Sequence, residues 1–140
     1  VMTGSHADLL IVVLHKLVVN AHPSLKTLHP WYLTIISNIS PYVKEINLTA
    51  AGKLVHLFEV FSSPRLLLAA PENHAFIEQL IDTINNFVQY QYDGSTQLVY
   101  ALVRRRATVE RLVLLSIPKE AAKAAAPAAP AATAAVTAAE

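Results

Sequence analysis

The chain has no cysteine, three glycines and one methionine among its 140 residues. Without a thiol there is no disulfide framework, no cysteine-ligated zinc or iron–sulfur site and no cysteine nucleophile. Three glycines are too few for a glycine-rich phosphate loop. Charge is scarce and balanced: Lys and Arg number 11, Asp and Glu 10, and the net charge is +1 with histidine neutral. A general nucleic-acid binder normally carries a strong basic excess. Long hydrophobic runs are missing as well. The longest aliphatic stretch, Leu9–Leu14, ends at His15 and Lys16, well short of the ~20 apolar residues a membrane-spanning helix needs. It also makes a poor signal peptide, because no basic residue precedes it and Asp8 stands at its edge.

What the chain has in quantity is apolar side chain, at 54% of residues. Part of that is a tail effect, since residues 121–140 hold 13 alanines and one valine. The remainder is still rich enough in apolar residues to form a core and too rich for disorder. The opening Val1-Met2-Thr3 reads as an internal start, so a piece of something longer is expected. Two sequons, Asn38-Ile39-Ser40 and Asn47-Leu48-Thr49, read as unused without a signal sequence, and Pro41 disfavours the first.

Hydrophobic spacing and punctuation divide the chain into helices. A first helix is expected from about Ala7 to Asn20, with Ser5 or Asp8 as its cap. Leu9, Leu10, Val12, Val13, Leu17 and Val18 wrap most of its circumference, so it should lie between neighbours. A second begins near Pro30, where proline suits the first turn, and stops at Ser40-Pro41. Tyr42–Asn47 is a connector. A third spans about Leu48 to Ser62, capped by Asn47 or Thr49, with Lys53, His56 and Glu59 as a narrow polar stripe. Pro64 opens a short apolar piece, and a fourth long helix runs from about Glu72 to Gln91 with Ile77, Leu80, Ile81 and Ile84 in phase. The last helical region, Ser95–Ser116, would place Arg105 on its core face if it were continuous. It is therefore expected to break near Arg104–Ala107.

These features predict an all-α protein: five to six helices in an armadillo- or HEAT-like helical stack over residues 1–117. Residues 118–140 read as a disordered Ala/Pro-rich linker or tail, since Pro127 and Pro130 interrupt the alanines and there is nothing to bury.

Candidate chemistry is thin. His15, His22 and His29 are seven apart, but Pro23 and Pro30 keep them off a common helix. His56 and Glu59 have the i, i+3 spacing of carboxylate-bridged metal sites, yet no second such pair accompanies them. The histidines therefore read as surface or hydrogen-bonded structural residues, and Glu72 beside His74 as a helix-start carboxylate. No Gly-x-Ser-x-Gly elbow or apolar carboxylate pair is present. No catalytic, metal or cofactor site is expected.

Two clusters stand out. Arg104, Arg105 and Arg106, with Arg111 beyond, offer contact to a protein partner, a phosphate or an anionic surface. The plainer alternative is a solvated helix junction, with these arginines on helix-end carbonyls and on acids such as Glu110 and Asp93. The run Asn85–Gly94 is rich in amides and tyrosine, and its amides suit bonds to the backbone of an adjacent repeat. A ligand groove is the other reading.

Several ordered segments resemble the HID1 (high-temperature-induced dauer formation) family. They are Leu33–Lys44, Ala51–Ser62, Asn73-His74, Asn85–Gly94 and Leu98–Arg104. The resemblance covers about Leu9 to Leu115, and the dymeclin proteins, related to this family, are the likeness most easily confused with it. None of these segments is a catalytic motif. The resemblance implies a large helical solenoid without enzymatic activity, acting at the Golgi and trans-Golgi network in secretory-cargo sorting and dense-core vesicle formation. It implies a cytoplasmic, peripheral membrane location, protein partners and no nucleic acid. Some members carry an N-terminal myristoylation signal; Val1-Met2-Thr3-Gly4 does not supply one, and the Ala/Pro tail has no counterpart in the family. The alternative is a generic armadillo- or HEAT-type interaction module in another pathway.

Overall fold

The structure, a computed structural model, describes residues 4–20 and 22–114. The expected tail, 118–140, lies outside the described residues. Among those residues there are seven α-helices and no strand. They are α1 (His6–Val19), α2 (His29–Ile39), α3 (Leu48–Phe61), α4 (Pro64–Leu67), α5 (His74–Tyr90), α6 (Thr96–Arg104) and α7 (Arg106–Val113). Short 3-10 turns at Pro23–Leu28, Ser40–Tyr42, Pro71–Asn73 and Asp93–Ser95 link them.

The helices form two layers. α1, α3 and α6 lie side by side with α3 in the middle, and α2 packs on α5 as the second layer. α2 also touches α1, and α5 also touches α3, so each pair closes a hairpin-like unit across the layers. This is the layered helical stack the sequence predicts. The core runs through α3, whose Ala50, Ala51, Leu54, Val55, Leu57, Phe58 and Phe61 are all buried. Ile11 of α1, Leu33 and Ile36 of α2, Phe87 of α5 and Leu98 of α6 meet it. Each large aliphatic or aromatic side chain buried there contributes roughly 1.5–3 kcal/mol.

Local chemistry sets the helix starts. Ser5 caps α1: its Oγ accepts from the Asp8 N–H (3.2 Å), and the Asp8 carboxylate accepts from the Ser5 N–H (2.8 Å). Asp8 is thus the reciprocal partner in a capping box, not the cap itself. Asn47 caps α3 by accepting from the Ala50 N–H at 2.7 Å. One expected start differs. α5 begins at His74, because Pro71 opens a 3-10 turn and the Asn73 amide donates to the Leu66 carbonyl, tying α4 down. α6 has no side-chain cap: the Ser95 and Thr96 hydroxyls donate back to the Tyr92 and Asp93 carbonyls at 3.0 and 3.2 Å. The break at Arg105 stands where Arg105 on the core face requires it, with φ −110° and ψ 20° between α6 and α7.

The connector 43–47 is extended and threaded through the molecule. Val43 and Ile46 are buried. The Ile46 N–H donates to the Gly94 carbonyl at 3.2 Å, and the Asn47 N–H to Asp8 Oδ1 at 3.0 Å. Asp8 therefore joins the N-termini of α1 and α3.

Candidate functional site

The polar stripe of α3 faces two neighbours. Toward α1, His56 Nδ1 lies 2.8 Å from His15 Nε2. His15 is 5% exposed, and its Nδ1 has no hydrogen-bond partner among the described residues. A buried lone pair costs less than a buried unpaired N–H, so the proton belongs on His15 Nε2, donated to His56. Burial, then the neighbouring Lys53 and His56, lower the His15 pKa from 6.5 to about 4. His29 is also lowered, by burial and then by Lys26; its ring stands edge-on to Phe61 at 5.9 Å.

Toward α6 and α7, Glu59 is held from two sides. Arg105 Nη1 donates to both carboxylate oxygens at 2.7 Å, and the Thr108 hydroxyl donates at 3.1 Å. Glu59 is thus the acid that Arg105 meets, rather than Glu110 or Asp93. The His56/Glu59 pair does not converge on a common point, since one side chain serves His15 and the other Arg105. Among the described residues no group of three or more histidines and acids is placed to hold a metal.

Between α3 and α6 lies a groove of about 270 Å³, lined by Gly52, His56 and Glu59 on one side and Tyr100, Arg104 and Arg105 on the other. The Arg104 guanidinium sits 5.8 Å from the centre of the Tyr100 ring. A smaller cleft of about 120 Å³ opens beneath α7, where Arg111 and Thr108 face Ser62, Ser63 and Pro64. Arg111 Nη2 donates to the Thr108 hydroxyl at 3.4 Å, and its Nε to the Ala107 carbonyl at 3.3 Å.

The structure therefore separates the four arginines. Arg105 is a latch, Arg111 belongs to a different cleft, Arg104 borders the groove, and Arg106 is exposed at the start of α7. Sequence reasoning missed the groove and the His15–His56 contact, because both join positions about 40–50 residues apart.

The amide-rich run is structural at its inner positions. Asn86 donates to Ser40 Oγ (3.1 Å) and Gln91 to the Pro41 carbonyl (3.1 Å), and Gln79, earlier on α5 and outside that run, donates to the Thr34 hydroxyl (2.9 Å). Together they form a row of polar bonds along the α2–α5 seam.

The two-layer packing of α1, α3 and α6 on α2 and α5 places the chain among all-α helical-stack proteins. Comparison with known proteins gives its family. The sequence matches the family described as high-temperature-induced dauer-formation protein over residues 1–132. The chain belongs to that family. It is 46% identical to Protein HID1 of Mus musculus over 82% of this chain and 15% of that protein. It is 36% identical to Protein HID1 of Dictyostelium discoideum over 80% of this chain and 12% of that protein. The Ubp5-interacting protein ftp105 of Schizosaccharomyces pombe is 28% identical over 84% of this chain and 13% of that protein. The chain thus spans about 15% of the length of the mouse relative. No solved structure matches.

Proposed function

We propose that this chain is a non-enzymatic stretch of a longer helical scaffold that works at Golgi and trans-Golgi membranes in secretory-cargo sorting and dense-core vesicle formation. The observation that carries the scaffold reading is apolar surface on both outer edges of the stack. α1 exposes Leu9, Val13 and Leu17 at four-residue spacing, and α6 and α7 expose Val99, Val103 and Val113. Large exposed apolar patches mark interaction faces, and relatives several times longer supply further chain to cover them. Neighbouring helical units of the parent protein seat on these edges, while the polar surface recruits protein partners. The Golgi assignment rests on family resemblance, with peripheral membrane attachment supplied by other regions.

A second reading has one observation in its favour. The fission-yeast relative is named for interacting with Ubp5, which fits a general protein-interaction module in another pathway.

Localising the tagged full-length parent separates the two. A Golgi pattern supports the first, and a nuclear or diffuse pattern the second. Charge reversal at Arg104 and Arg106 should weaken partner pull-down without unlatching Arg105; unchanged pull-down would leave both as solvated surface. The edge-face argument fails if the chain alone is monomeric, melts cooperatively and binds no hydrophobic dye.

A further inference from the structure

We propose that the groove between α3 and α6 is a binding site for an acidic segment of a protein partner, with Arg104 taking a carboxylate and Gly52 leaving room for the segment's backbone. Glycine is among the least favoured residues in a helix interior, and it is usually retained there because something crowds the position. Nothing does at Gly52: a Cβ built on it meets no atom of the other described residues within 4 Å, apart from its own helix backbone and chain neighbours. Gly52 is exposed and lines the groove, so the helix propensity given up there leaves open space in its wall.

The charge around that space is one-sided. Glu59 is the only carboxylate in the lining, and Arg105 and Thr108 already occupy it. Arg104 has no carboxylate partner among the described residues. Its guanidinium instead lies near the Tyr100 ring, which holds the planar fork without using its donors. A fork held this way is prepared for two parallel bonds to a carboxylate. Tyr100 is 55% exposed and gives a flat apolar wall for an aliphatic or aromatic neighbour of the acid.

The shape favours a peptide over a membrane. An anionic lipid surface is met by several cations on one plane, whereas here Arg105 is engaged with Glu59, Arg111 lies in the separate cleft under α7, and the exposed Arg106 is outside the lining of the groove. One prepared guanidinium in a two-sided groove of about 270 Å³ suits one acidic side chain and its flanking residues.

This inference rests on the scaffold reading for the class of its ligand. The test uses the full chain and a fluorescein-labelled panel of hexapeptides carrying Asp or Glu beside Leu or Phe. Each peptide has an Asn or Gln counterpart, and anisotropy is the readout. At least one acidic peptide should bind about tenfold more tightly than its amide counterpart, as expected for one charge-assisted pair. Arg104→Gln should remove that preference. Gly52→Leu should weaken binding about tenfold while the melting temperature holds or rises, because the space it fills is empty. Three results would overturn the proposal: equal binding of acidic and amide peptides, binding unchanged in both variants, or Arg104-dependent binding to phosphatidylserine vesicles with none to peptides. Peptide binding is read independently of parent localisation, so failure of one leaves the other standing.

Discussion

His15 shows how one residue's surroundings become a property of the protein. It is buried between α1 and α3, and its pKa falls from 6.5 to about 4. Between those values the unfolded chain binds more protons than the folded one, so stability is lost as pH drops from 6.5 toward 4. Urea unfolding at pH 5 should give a free energy about 2 kcal/mol below that at pH 7.5. His15→Leu should flatten most of the difference, and equal midpoints for the native chain would mean a solvated imidazole. His29, lowered in the same direction, adds to the slope. The glycines make an opposite pair at the same scale. A Cβ on Gly94 would lie 1.8 Å from the Lys44 carbonyl oxygen, so the turn before α6 must move if it is substituted. Gly94→Ala should destabilise by about 1–3 kcal/mol, whereas Gly52→Ala should be neutral or stabilise by up to about 1 kcal/mol. Chemical denaturation of the two variants side by side checks the contrast.

At the scale of elements, the junction of α6 and α7 was legible in sequence and its latch was not. Arg105 lies between Leu102 and Val109, so an unbroken helix would bury a cation, and that alone requires a break. What Arg105 meets is fixed by Glu59, 46 residues away on α3. The guanidinium is 57% exposed and the carboxylate 19%, which places the pair in the range of partly screened ion pairs. Glu59→Ala and Arg105→Ala should each cost about 1 kcal/mol, with a coupling of about 0.5–1 kcal/mol in the double-mutant cycle. Hydrogen exchange should show α7 opening first, since Glu59 also holds Thr108; uniform exchange across α3 and α7 would count against a latch. The α2–α5 seam was anticipated in kind, because amides on a half-buried helix must find partners. Their partners, Thr34, Ser40 and Pro41, follow only from how α5 crosses α2.

For the molecule as a whole, α3 is enclosed while α1 and α6 are each covered on one flank. The outer stripe of α1 is therefore a surface and not a core. Val13→Lys with Leu17→Lys should change the unfolding free energy by no more than about 0.5 kcal/mol per site. It should reduce self-association in sedimentation, and a collapse of the urea midpoint would instead place the stripe inside the fold. In the full-length parent the same pair should destabilise strongly if, as proposed, a neighbouring helical unit seats on the stripe.

By itself the sequence determined the helical class, the positions of most helices, the break at Arg105 and the family. These depend on signals within a few turns: apolar period, prolines, capping residues and short ordered segments. Tertiary structure decided which polar groups meet. The pairing of His15 with His56, the capture of Arg105 by Glu59, and the space above Gly52 all arise where helices distant in sequence cross. Sequence spacing carries no information about such crossings, because the angle and offset between two packed helices are set by every side chain at their contact.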